Sequence, residues 1–134
     1  MSGVLLVECV TWLIISVRFN SVMIKIKRLE DNLNIEGKRV LLRVDFNVPI
    51  DGGAITEDSR IQKSLPTIKF LINKKAKIII IAHLGRPNGK IVPELTLKPI
   101  AKKLSNYLNQ DVMFLNESIG SLVIKNSKKI PNGK

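Results

Sequence analysis

The sequence holds a single cysteine, Cys9, and a single histidine, His83. One cysteine cannot close an internal disulfide, and this pair cannot build a thiolate zinc site. They lie far apart in sequence, which is a poor basis for a nucleophile and its base. Aromatic residues make up only 4% of the chain. That leaves no ladder of rings for stacking single-stranded nucleic acid. There is no GxxxxGK[ST] phosphate loop, no GxGxxG fingerprint and no GxSxG elbow. Serine hydrolases, P-loop enzymes and common dinucleotide enzymes therefore find no support in the motifs.

A membrane-spanning run is also lacking. The longest apolar stretch, Val4 to Val17, is interrupted by Glu8. A span needs about 20 apolar residues. A secretory leader carries basic residues before its apolar run and a small-residue cleavage site after it. Here nothing basic precedes the run, and Arg18-Phe19-Asn20 follows. We read residues 1–22 as a hydrophobic extension outside the native frame, with an ordinary start at Met23. A membrane anchor is the competing reading.

What is present is aliphatic and basic. Apolar residues form 45% of 134 residues, enough for a core of Ile, Leu and Val. The formal net charge is +11, from 22 Lys and Arg against 11 Asp and Glu. Such a balance draws phosphate esters, nucleic acid or anionic membrane. The plain alternative is lysines solvating helix faces.

From Lys38 the pattern becomes regular. Arg39 to Val44 is β-branched and aliphatic and reads as a strand. Asp51-Gly52-Gly53 marks a turn. Asp58 or Ser59 caps a helix with Ile61, Leu65, Ile68, Leu71 and Ile72 on one face. Pro66 kinks that helix or restarts it. Lys77 to Ala82 is a continuous apolar strand, which predicts cover on both faces. Thr96 caps a second helix carrying Leu97, Ile100, Ala101, Leu104 and Leu108. Asp111 to Leu115 reads as a third strand, and Ser121 to Ile130 as a weak helix. Strand, helix, strand, helix, strand is the order of an α/β protein, a parallel sheet flanked by helices.

In open parallel sheets, ligands bind beyond the carboxyl ends of the strands. That rule selects Asp45-Phe46-Asn47-Val48-Pro49 and His83-Leu84-Gly85-Arg86-Pro87. Arg60, at the start of the first helix, can reach the same mouth. Arg60 and Arg86 suit carboxylate or phosphate. His83 donates to anions with a charge tunable near neutrality. Asn47 both donates and accepts. Ionised Asp45 only accepts, so it suits a substrate hydroxyl or orients an arginine. Gly85 lets backbone approach a ligand closely. The set describes a pocket for a small, multiply anionic molecule with a hydroxyl. Each residue also has a plain structural reading, as turn former, cap or exposed helix residue.

The strings Lys38 to Pro49, Ile55 to Ile61, Ser64 to Ile68, Ala82 to Pro87 and Leu95 to Ile100 resemble, in order and spacing, the phosphoglycerate kinase family. In the second signature Ser more often precedes the His, where this chain has Ala82. The resemblance implies a Rossmann-like three-layer fold. It makes residues 23–134 a partial N-terminal, substrate-binding domain of a two-domain kinase. It implies reversible phosphoryl transfer between 1,3-bisphosphoglycerate and ADP, giving 3-phosphoglycerate and ATP in glycolysis. It implies binding of 3-phosphoglycerate or 1,3-bisphosphoglycerate by Asp45, Phe46, Asn47, Arg60, His83, Leu84, Gly85 and Arg86. Arg60 and Arg86 would position the substrate. It further implies a cytoplasmic, usually monomeric protein with neither nucleic acid nor membrane as partner. A basic nucleic-acid-binding module is the alternative function.

The family's next motif, a Glu-Asn-Leu-Arg-Phe type string, is expected after Pro131-Asn132-Gly133 and is absent. The nucleotide domain, with its site for magnesium ATP or ADP, is absent too. No metal site is expected here. The expectation is a chain that does not catalyse alone, binds substrate weakly and exposes an unpaired sheet edge.

Overall fold

The computed structural model describes residues 34–90 and 92–134, together with the backbone strand Leu5–Glu8. The proposed start at Met23 and the rest of the 1–22 extension lie outside the described residues. Two sheets and three helices follow one another in chain order. These are β1 (Leu5–Glu8), β2 (Arg39–Arg43), β3 (Ile50–Asp51), β4 (Ala54–Ile55), α1 (Ser59–Asn73), β5 (Lys77–Ile81), α2 (Lys98–Leu108) and α3 (Ser121–Lys129).

The main sheet is parallel in the order β1-β2-β5. Its register pairs Val40 with Ile78 and Leu42 with Ile80 on one side, and with Leu5 and Val7 on the other. β2 is central, and its Val40 and Leu42 are wholly buried. The alternation continues past the strand. Val44, Phe46 and Val48 point inward, while Arg43, Asp45 and Asn47 are exposed. Period-two geometry thus aims the polar residues of this tip away from the core.

α1 and α2 pack into the core through the faces their spacing predicts. α1 buries Ile61, Ile68 and Leu71, and α2 buries Ile100 and Leu104. Each fully buried aliphatic side chain contributes about 1.5–3 kcal/mol by leaving water. α1 runs unbroken through the exposed Pro66, so no restart occurs there. The proline removes the donor that would have bonded the Gln62 carbonyl. Thr96 accepts the Lys98 amide at 3.3 Å. α2 ends on Asn109 in the left-handed conformation. Between β3 and β4, Gly52 and Gly53 both take positive φ, as a tight two-residue hairpin turn demands.

Two expectations are corrected. Residues 111–115 form no strand; they are irregular, and Met113 is largely exposed. No neighbouring strand pairs with them among the described residues, and apolar character alone does not make a ladder. β5 is not covered on both faces either. None of its residues is fully buried, and Ile81 is exposed. It lies at the outer side of the described sheet. There the Gly133 amide bonds the Ala76 carbonyl at 2.9 Å, and the Ile78 amide bonds the Lys134 carbonyl at 2.7 Å. α3 buries no residue and leaves Leu122 and Ile124 exposed.

Candidate functional site

β2 and β5 are parallel neighbours, so their carboxyl ends lie side by side. The two loops selected from the sequence leave from those ends. Asp45 is the hub of what they form. Its Oδ1 accepts the Asn47 amide at 3.0 Å, and its Oδ2 accepts Arg60 Nη1 at 2.5 Å. The Asn47 amide, the Arg60 guanidinium and the nearby His83 together hold the Asp45 carboxyl below the usual carboxylate range. Partial burial opposes them. Of the two roles open to Asp45 in the sequence, orienting an arginine is the one this geometry contains.

Asn47 ties the two loops together. Its Oδ1 accepts the Gly85 amide at 3.0 Å, across 38 positions of sequence. Gly85 has φ +61°, which L side chains rarely adopt. A Cβ there would also meet Leu95 Cδ2 at 2.9 Å. Glycine at this position therefore reflects close packing beneath the loop as well as backbone conformation.

The structure thus gathers Asp45, Asn47, Arg60, His83 and Gly85. Arg86 follows Gly85 on the exposed loop, and no ion pair holds it among the described residues. Phe46 and Leu84 lie differently. Both are buried and belong to the hydrophobic core, so only their main chain can face a ligand. Alternation explains this, because neighbours of outward residues on an extended chain point inward.

The strand tips form an open shelf. The side chains of Arg60 and Asp45 are 47% and 60% exposed. A shallow cavity of about 260 Å³ does exist, lined by Asn34, Ile35, Glu36, Asn73, Lys74 and Lys75. It lies where the chain enters β2 and β5, at the opposite ends of the strands. The strand-tip shelf has the better chemistry for an anion. It offers forked arginine donors, an imidazole and an amide whose Nδ2 remains to donate.

One cluster escaped the sequence reading. Asp58 Oδ2 accepts the Tyr107 hydroxyl at 2.6 Å and Lys103 Nζ at 3.0 Å. Its Oδ1 accepts Gln62 Nε2 at 2.7 Å. Tyr107, Lys103 and Gln62 pull the Asp58 carboxyl below its usual range. A helix cap was the only role the sequence suggested for Asp58. The available signal was the chain's one tyrosine, placed one turn after Lys103 on α2.

Comparison with known proteins shows the family. Residues 30–134 match the family model for phosphoglycerate kinase. The chain belongs to the phosphoglycerate kinase family. A phosphoglycerate kinase of Finegoldia magna is 54% identical over 106 residues, which cover 78% of this chain and 27% of that protein. One of Gloeothece citriformis is 51% identical over 102 residues, covering 75% and 25%. The crystal structure of phosphoglycerate kinase from Pyrococcus horikoshii OT3 is 36% identical with a TM-score of 0.73, covering 81% of this chain and 26% of that one. The structure of phosphoglycerate kinase from Coxiella burnetii is 49% identical with a TM-score of 0.57, covering 60% and 21%. The chain spans about a quarter of the length of the curated relatives it matches.

Proposed function

We propose that this chain supplies the acid-binding part of a phosphoglycerate kinase, which moves a phosphoryl group reversibly between 1,3-bisphosphoglycerate and ADP. The observation that carries the reading is the joined tip of β2 and β5. There Asp45 holds Arg60 while Asn47 holds Gly85, beside His83. Arg60, His83 and Arg86 neutralise the carboxylate and phosphate of 3-phosphoglycerate or of the acyl phosphate. Asn47 Nδ2 donates to the same ligand. Asp45 keeps lone pairs beyond its two bonds and accepts the substrate hydroxyl. Such chemistry needs no covalent nucleophile. Positioning and charge neutralisation lower the barrier to phosphoryl transfer.

The nucleotide partner is a different matter. Among the described residues no group of three or more His, Cys, Asp and Glu could hold a metal ion. The chain also carries no phosphate-cradling glycine loop. Among the described residues, no side-chain set fits a magnesium nucleotide. We place the protein in the cytoplasm as a monomer. Among the described residues no helix is long and apolar enough to cross a membrane.

The test is an amide and side-chain NMR titration of the chain with 3-phosphoglycerate. We expect shifts at Asn47, Arg60, His83, Gly85 and Arg86, with a Kd on the order of 1 mM, or about −4 kcal/mol. Saturable shifts confined to the Asn34–Lys75 cavity, or none at the strand tips, would defeat the reading.

A further inference from the structure

Asp58 stands at the N-cap position of α1, yet its side chain makes no capping hydrogen bond. An aspartate there ordinarily accepts an amide from the first turn. That local task falls to Glu57, whose Oε1 accepts the Ser59 amide at 2.6 Å. Asp58 turns to α2 instead, taking the Tyr107 hydroxyl and the Lys103 ammonium on one oxygen. Gln62, one turn further along α1, donates to its other oxygen and also to the Tyr107 hydroxyl oxygen at 3.1 Å. Lys103 Nζ lies 5.5 Å from the centre of the Tyr107 ring. The four side chains close on one another as two i,i+4 pairs on facing helices. The Asp58 side chain is only 17% exposed, against 60% for Asp45.

Arg60 lies between Asp58 and Gln62 in sequence. At 3.6 residues per turn it points about 200° around the helix from Gln62, Asp58's partner. The first turn of α1 is therefore gripped on opposite sides, by α2 through Asp58 and by the β2 tip through Arg60 and Asp45.

We propose that Asp58, Gln62, Lys103 and Tyr107 are positioning residues, a clamp that fixes the first turn of α1 and keeps Arg60 on Asp45 at the anion shelf. The proposal deepens the function given above and rests on it for the ligand alone. The link from clamp to Arg60 can be read without any ligand. Asp45 reports it, because Asn47, Arg60 and His83 are the groups that hold its carboxyl low.

The experiment uses the whole chain as wild type, Tyr107→Phe and Ile68→Val, the last a core change away from the clamp. The Asp45 carboxyl is titrated by carbon-13 NMR, and 3-phosphoglycerate is titrated separately. In Tyr107→Phe we expect the Asp45 midpoint to move up towards that of a free carboxylate. We expect the Kd for 3-phosphoglycerate to rise roughly twofold to thirtyfold, the range that indirect coupling usually covers. Ile68→Val should lower stability and move neither. If Tyr107→Phe does not fold, Lys103→Met takes its place. An Asp45 midpoint unchanged in the folded clamp variant, or moved equally by Ile68→Val, overturns the proposal. A wild type that ignores 3-phosphoglycerate sinks the functional reading instead, while the Asp45 titration still decides the clamp.

Discussion

Replacing Gly85 by alanine separates two costs that the loop after β5 combines. The first is backbone conformation. Gly85 has φ +61°, and a left-handed L residue costs roughly 1–2 kcal/mol. Part of this is offset, since alanine narrows the unfolded ensemble by about 0.4–1 kcal/mol. The second is contact. The new Cβ would sit 2.9 Å from Leu95 Cδ2 and 3.0 Å from Cδ1. Leu95 packs against the core, so it must leave its rotamer, at about 0.5–1.5 kcal/mol. Gly89, in the same loop, is the control. It has φ +75° and nothing within 4 Å of its would-be Cβ. Gly89→Ala should therefore cost about 1 kcal/mol and Gly85→Ala about 2 kcal/mol. Urea unfolding followed by far-ultraviolet circular dichroism measures both. With a urea slope of about 1.5 kcal/mol/M, the two midpoints should differ by roughly 0.7 M. Adding Leu95→Ala should erase that difference, because the contact disappears. Equal midpoints for the two glycine variants, or strict additivity in Gly85→Ala/Leu95→Ala, would refute the packing argument.

Other outcomes follow from the same geometry. Leu42→Ala should cost about 2–5 kcal/mol in urea unfolding, since Leu42 is wholly buried in the central strand. Asn47→Ala should cost about 1 kcal/mol by freeing the Gly85 amide, and should weaken 3-phosphoglycerate binding in the NMR titration. Acid should destabilise the fold. Asp45, Glu57 and Asp58 all have depressed folded-state values. Their contribution is complete above the ordinary carboxylate range and is lost as pH falls through the lowered values, below about pH 4. Alkali should act through Lys103, whose value is raised by Asp58, so its contribution fades only above the ordinary lysine range. Thermal melts across pH, with Asp58→Asn flattening the acid limb, check both limbs.

The fold was legible where periodicity and burial agree. Ile61, Ile68 and Leu71 follow the helical spacing and are buried, as are Ile100 and Leu104. β2 was legible from its aliphatic run, and its alternation also carried Asp45 and Asn47 outward. Residues 111–115 misled because a short apolar run does not specify a pairing partner. β5 misled in the same way. Four consecutive isoleucines signal a buried strand, yet its burial depends on what packs against it, which composition does not record.

The site was legible by a different route, and its gaps are instructive. The rule that ligands meet the carboxyl ends of parallel strands picked both loops, and a register of parallel neighbours does bring them together. Naming whole strings, however, swept in Phe46 and Leu84, whose side chains serve the core. Buried in the core, those two hold the backbone beside Asp45, Asn47 and Gly85. The clamp was hidden for a stronger reason. Its partners Asp58 and Tyr107 stand 49 positions apart, and each looks ordinary alone. A polar residue at a helix start reads as a cap until an unoccupied capping role is set beside a carboxylate drawn towards another helix. The absence of the local bond at Asp58 is thus the feature that points to the long-range one. Arg60 inherits its position from that choice.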